Sequence, residues 1–133
     1  MIHEGDNDLA DGRTLRQILG ATGTMLGRIE AALPDARIVL ISAKPSQSRW
    51  GDAELYRQLN TGYRHLARSS AGPPDVRYAD MWPALLGPGE VPDAALYEPD
   101  GLRLNPAGYL AWDRMLSQGR YQAPHPFTGR RSA

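Results

Sequence analysis

The chain reads as an α/β protein, the C-terminal half of a doubly wound parallel sheet with its covering helices, and three observations predict this. Residues 36–42 (ARIVLIS) form a short, nearly continuous apolar run rich in β-branched side chains, as expected of a strand buried on both faces. That run is flanked by two segments with helical apolar spacing, residues 14–33 and 52–68. A second, weaker strand signal follows at residues 75–79 (DVRYA), and a last helix follows that. The order is loop, helix, strand, helix, strand, loop, helix, so the first strands of a complete sheet are missing from it.

Each element has a local reason. In the first long helix Leu15, Ile18, Leu19, Met25, Leu26, Ile29 and Leu33 make the apolar stripe. Thr14 to Gln17 fits a capping box at its start, and Pro34 ends it. The loop at residues 43–51 (AKPSQSRWG) leads to a helix with Leu55, Tyr56, Leu59, Tyr63 and Leu66 on one side, stopped by Gly72, Pro73 and Pro74. After the second strand come a short apolar turn at residues 81–86 and a Gly/Pro-rich loop at residues 87–99. Asn105 followed by Pro106 predicts an N-cap and a first helical position, with Tyr109, Trp112, Met115 and Leu116 at helical spacing beyond them. The division expected is one domain over residues 1–119 and a flexible tail over residues 120–133. A sheet of two sure strands leaves an apolar edge open, which predicts a marginal monomer or self-association through that edge, and therefore a melting temperature that depends on concentration.

Composition narrows the function classes. The 133 residues hold 41% hydrophobic and 23% charged side chains, the profile of a globular domain. Fifteen Lys and Arg balance fifteen Asp and Glu without a basic cluster outside the tail, which argues against nucleic acid as a partner. With no cysteine, and with His3, His65 and His125 scattered, neither a metal site nor another cofactor is expected. No apolar run is long enough to span a bilayer and no secretory signal is visible, so the chain as written is expected in the cytoplasm with no membrane partner.

Two stretches carry chemistry. Gly5-Asp6-Asn7-Asp8 is by itself what any tight turn prefers, and in Tyr97-Glu98-Pro99-Asp100-Gly101-Leu102-Arg103-Leu104-Asn105-Pro106-Ala107-Gly108-Tyr109 a turn leading into a capped helix explains Asp100, Gly101, Asn105 and Pro106. Together, in this order and with a strand between them, they resemble the SGNH/GDSL hydrolases, esterases and lipases whose third block reads G-x-N-D and whose last reads D-G-x-H-L-N-x-x-G-Y. Ile41-Ser42-Ala43-Lys44-Pro45-Ser46 and Arg49-Trp50 extend the resemblance, which covers roughly residues 2–118. It implies the C-terminal part of a flavodoxin-like three-layer α/β/α sandwich. It also implies Asn7 as the oxyanion-hole donor in a loop with Gly5 and Asp8, Asp100 as the acid of a catalytic triad, and a small-molecule ester as substrate of the completed enzyme.

Two departures stand against activity. The resemblance places the catalytic histidine at residue 103, which is arginine here; a guanidinium stays protonated and only donates, so it cannot act as a general base, although it can pair with Asp100. The nucleophilic serine of the family stands in a G-D-S block upstream of G-x-N-D, and none of Ser42, Ser46, Ser48, Ser69, Ser70, Ser117 and Ser132 has that context. His65, within a helix beside Arg64, and His3, at a strand end, are weak substitutes as bases. Lys44, Arg49 and Trp50 follow a strand end and are placed to line a substrate groove, with helix-start packing as the plainer role of Trp50. Two readings remain open: part of a serine ester hydrolase, inactive as this chain and completed by sequence upstream, or a non-catalytic binding and interaction remnant of that fold.

Overall fold

The computed structural model describes residues 1–69 and 75–119; the expected helix stop at Gly72 to Pro74 and the tail at 120–133 lie outside them. The elements are α1 (Asp6–Ala10), α2 (Leu15–Ala32), β1 (Arg37–Ile41), α3 (Ala53–Ser69), β2 (Asp75–Ala79) and α4 (Pro106–Ser117). Both long helices, both strands and α4 fall where the apolar spacing predicts them. The stretch Gly5 to Asp8, expected as a loop, departs from that: Gly5 turns the chain with a left-handed backbone (φ 91°), and Asp6 begins the single-turn helix α1. A residue with a side chain would be strained at that φ, and its Cβ would run into the Tyr63 hydroxyl.

β1 and β2 are parallel neighbours, with Arg37 opposite Asp75 and Ile41 opposite Ala79. The N-terminal residues run alongside β1 as well. The Ile2 N–H donates to the Val39 carbonyl and the Ile41 N–H to the Ile2 carbonyl, both at 2.8 Å, so the spatial order is Ile2, β1, β2.

Strand alternation distributes the core to two faces. Ile38 and Leu40 of β1, with Val76 and Tyr78 of β2, pack among Ile18 and Leu26 of α2 and Tyr56, Leu59 and Tyr63 of α3. Val39 and Ile41, with Ala79 and Met81, meet Trp112, Met115 and Leu116 of α4. Helices therefore cover both faces of the pair, which is why β1 reads as continuously apolar.

The Thr14 capping box of α2 is present in both directions: the Gln17 N–H donates to Thr14 Oγ1 at 3.2 Å and the Thr14 N–H to Gln17 Oε1 at 3.0 Å. Three residues of the predicted stripes face outward instead. Leu33 lies past the last helical residue of α2, Leu55 sits at the margin of the buried face of α3, and Tyr109 of α4 is 62% exposed. The inward face of α4 runs through Gly108, Ala111, Trp112, Met115 and Leu116, the i, i+3, i+4, i+7, i+8 pattern of a helix on a core, and Tyr109 falls one residue off it. Gly108 sets that choice, since a Cβ there would collide with the Leu96 carbonyl.

Candidate active site

The Gly5 turn delivers Asp6 into a clamp. Its carboxylate accepts from Lys44 Nζ at 2.9 Å and from Arg49 Nη1 at 2.9 Å, with all three side chains largely buried (13%, 11% and 19% exposed for Asp6, Lys44 and Arg49). Its carbonyl accepts from Arg49 Nη1 at 3.1 Å and from the Tyr56 hydroxyl at 3.0 Å. Lys44 and Arg49 thus turn onto the turn itself rather than toward an open groove. Trp50 stacks on Trp82 at 6.0 Å, with the Arg57 guanidinium over both rings. Next along, Asn7 is exposed, and its Oδ1 accepts from Arg49 Nη2 at 3.0 Å. Asp8 points elsewhere, to Arg13 at 3.3 Å.

The loop at residues 43–51 is the hub that relates the two motif stretches. Asn60 of α3 holds its start, accepting from the Ala43 N–H at 2.7 Å and donating to the Ala43 carbonyl at 3.0 Å, both buried. Its middle is tied to the other stretch: the Tyr97 hydroxyl donates to the Pro45 carbonyl, and the Ser48 N–H donates to the Gly101 carbonyl at 3.1 Å. Burial pushes the Tyr97 phenol well above its ordinary range, so it stays a neutral donor. The stretches that hold Asn7 and Asp100 are therefore tied to neighbouring residues of one loop, Arg49 and Ser48, and among the described residues no hydrogen bond joins Asn7 to Asp100 directly.

Asp100 begins a tight turn through Gly101 (φ 64°). Its Oδ1 accepts from the backbone N–H groups of Leu102 and Arg103, each at 2.9 Å, and its Oδ2 from Arg103 Nε at 2.7 Å. The Arg103 side chain first, and then the two backbone donors, hold the Asp100 carboxyl at about 2, below its ordinary 3.8. The same contact holds the Arg103 proton more tightly. Downstream, Asn105 caps α4 by accepting from the Gly108 N–H at 3.0 Å, while its amide nitrogen donates to the carbonyls of Ala95 at 2.8 Å and Tyr97 at 3.2 Å.

The remaining candidates have other occupations. Ser42 is fully buried and accepts from the Met81 N–H at 2.8 Å; Ser46 is buried; Ser48, Ser69 and Ser117 are exposed, and Ser70 and Ser132 lie outside the described residues. His65 is exposed on α3, and His125 lies outside the described residues. His3 packs edge-on against Trp112 at 4.9 Å, and burial lowers its pKa from 6.5. Among the described residues no group of three His, Asp or Glu side chains is placed to hold a metal ion, and no helix is long and apolar enough to cross a membrane. The sequence reading missed Asn60 and placed Tyr56 only as a packing residue, although a lone Asn between Leu59 and Tyr63 on a core-facing stripe is a signal of a built-in polar contact.

The hub loop follows the carboxyl end of β1 and both motif stretches are bonded to it, in an α/β protein with a small parallel sheet. The chain belongs to the GDSL-like Lipase/Acylhydrolase family, whose model matches residues 1–111. Two solved structures share the fold. One, provisionally described as a platelet activating factor from Streptococcus pneumonia, is 22% identical with a TM-score of 0.75, over 86% of this chain and 56% of that one. The other, provisionally described as an acylhydrolase from Bacteroides fragilis NCTC 9343, is 15% identical with a TM-score of 0.62, over 81% of this chain and 52% of that one. This chain thus spans about half the length of either. A search of curated protein sequences returned no match.

Proposed function

We propose that the chain is the C-terminal portion of a flavodoxin-like SGNH ester hydrolase, carrying the oxyanion donor Asn7 and the triad acid Asp100, and is not a catalyst as it stands. The observation that carries this reading is the 2.7 Å pair between Arg103 Nε and Asp100 Oδ2. In an ester hydrolase of this type the acid accepts a hydrogen bond from a histidine, which takes the serine proton and returns it to the leaving alkoxide. Arginine donates to the same carboxylate and closes off the proton relay, because its guanidinium has no lone pair to offer. No serine of this sequence stands in a G-D-S context either.

A fluorophosphonate probe tests the reading directly. The folded chain, checked by circular dichroism, should show no adduct by intact mass; one stoichiometric adduct would mean that a serine here is activated. In a protein completed with a G-D-S segment, Arg103→His should raise ester hydrolysis by orders of magnitude, since losing one triad member leaves roughly 10³ to 10⁴-fold over water. No gain would remove residue 103 from the triad.

The non-catalytic reading is favoured by one feature. Ile2 turns its backbone N–H and C=O toward β1, and the alternation of a parallel ladder turns those of His3 the other way, where among the described residues nothing pairs with them. That edge fits self-association or an added strand. Its check is the concentration-dependent melting temperature expected above.

A further inference from the structure

We infer that Arg49 is a positioning residue whose guanidinium sets the Asn7 amide with its nitrogen outward, a role that rests on the oxyanion-donor reading of Asn7. A primary amide has two ends of nearly the same shape, an acceptor oxygen and a donor nitrogen, and a half turn about χ2 exchanges them. Only the nitrogen end stabilises negative charge. An exposed Asn left to itself samples both ends, and several χ1 rotamers as well.

Arg49 removes that freedom. Its nitrogens donate and never accept, so the 3.0 Å contact between Arg49 Nη2 and the Asn7 side chain requires the oxygen end. Both N–H groups of Asn7 then face away from the guanidinium, and a cation on the amide oxygen polarises them into stronger donors. Arg49 is itself held: Nη1 bonds both the carboxylate and the carbonyl of Asp6, Lys44 takes the other carboxylate oxygen, and Tyr56 shares the carbonyl. Fixed groups thus run from the buried Asp6 to the exposed amide.

A purely architectural role needs only half of this. The two Nη1 contacts are enough to stitch the Gly5 turn to the loop at residues 43–51. The Nη2 contact orders an exposed side chain, which adds nothing to the turn and opposes the entropy of a free Asn. The planar fork of arginine suits the double task, since one edge of the guanidinium serves Asp6 and the next nitrogen reaches Asn7.

The test is made on the full chain by NMR, without substrate. Three-bond couplings to Cγ of Asn7, assigned by its loss in Asn7→Asp, give the χ1 rotamer, and NOEs from the two Hδ2 protons give the amide orientation. The expected result is one rotamer with the nitrogen away from Arg49, averaging in Arg49→Gln, partial recovery in Arg49→Lys, and no change in Arg13→Met, which loses a charge paired with the neighbouring Asp8 and bonds neither Asp6 nor Asn7. An averaged Asn7 in the unaltered chain overturns the inference without need of any variant that folds. An Asn7 that stays ordered in Arg49→Gln, or that loosens equally in Arg13→Met, overturns it too. An ordered Asn7 in a completed protein whose ester hydrolysis survives Asn7→Ala would leave the positioning standing and remove the oxyanion reading instead.

Discussion

Asp100 shows how a tight turn holds a carboxylate through backbone and side chain together. The backbone N–H groups of Leu102 and Arg103 hold its carboxylate whatever the side chain at position 103 is, while the Arg103 guanidinium supplies the largest of the three pulls. The carboxyl titrates near 2 instead of 3.8, so its contribution to stability is present above the ordinary carboxylate range and lost as pH falls through about 2. Both partners are exposed, so this contribution is small. In Arg103→Ala the carboxyl carbon should titrate higher than 2 and still below 3.8, because the backbone donors remain; an unmoved midpoint in the NMR titration would mean that the guanidinium does not set it. The pairing of Asp100 with Arg103 was legible in the sequence, because three residues across a D-G turn bring the two side chains together locally. The occupation of Lys44 and Arg49 was not, because their partner Asp6 is 38 and 43 residues away.

At the scale of elements, the loop at residues 43–51 has its shape imposed from outside. It follows β1 without regular structure until the 3₁₀ turn Trp50–Asp52, and Asn60 of α3 supplies the partner that a neighbouring strand would otherwise give to the N–H and C=O of Ala43. Asn60→Leu keeps the branch at Cγ, though in a larger side chain, and leaves both backbone groups buried and unpaired, which should cost about 2–4 kcal/mol in urea unfolding. A cost under about 1 kcal/mol would mean that water reaches Ala43 in the variant. The stripe of α3 was readable because apolar side chains at 3.6 spacing need no knowledge of their partner, whereas the purpose of a polar residue in the stripe depends on which loop arrives there. The misplaced Tyr109 has the same origin: α4 can be rotated by one residue with little change in apolar content, and the close approach of Gly108 to the Leu96 carbonyl selects the rotation.

The whole molecule couples its two faces through the N-terminal residues. His3 follows the residue bridged to β1 and packs against Trp112 of α4, with Asp6, Lys44 and Glu4 near enough to act on it electrostatically. Burial, the largest influence, keeps its imidazole neutral below the ordinary 6.5. The unfolded chain therefore takes up a proton first as pH falls, and stability should decrease from about pH 6.5 downward until the folded form titrates as well. Urea midpoints at pH 7.5 and 5.5 check this: the loss should shrink in His3→Gln, and an equal loss would place its source elsewhere.

By itself the sequence determined the α/β class, the position of every long helix and both strands, the family, and the local pairing of Asp100 with Arg103. These are properties of local periodicity, turn chemistry and residue type, and a reader needs only neighbours in the chain to see them. Tertiary structure decided that Gly5 opens a helical turn, that Asp6 is gripped by Lys44 and Arg49, and that one loop ties the Asn7 stretch to the Asp100 stretch. Each of those depends on groups tens of residues apart meeting in a low-dielectric interior, where a polar atom must find a partner and which partner it finds is settled by packing.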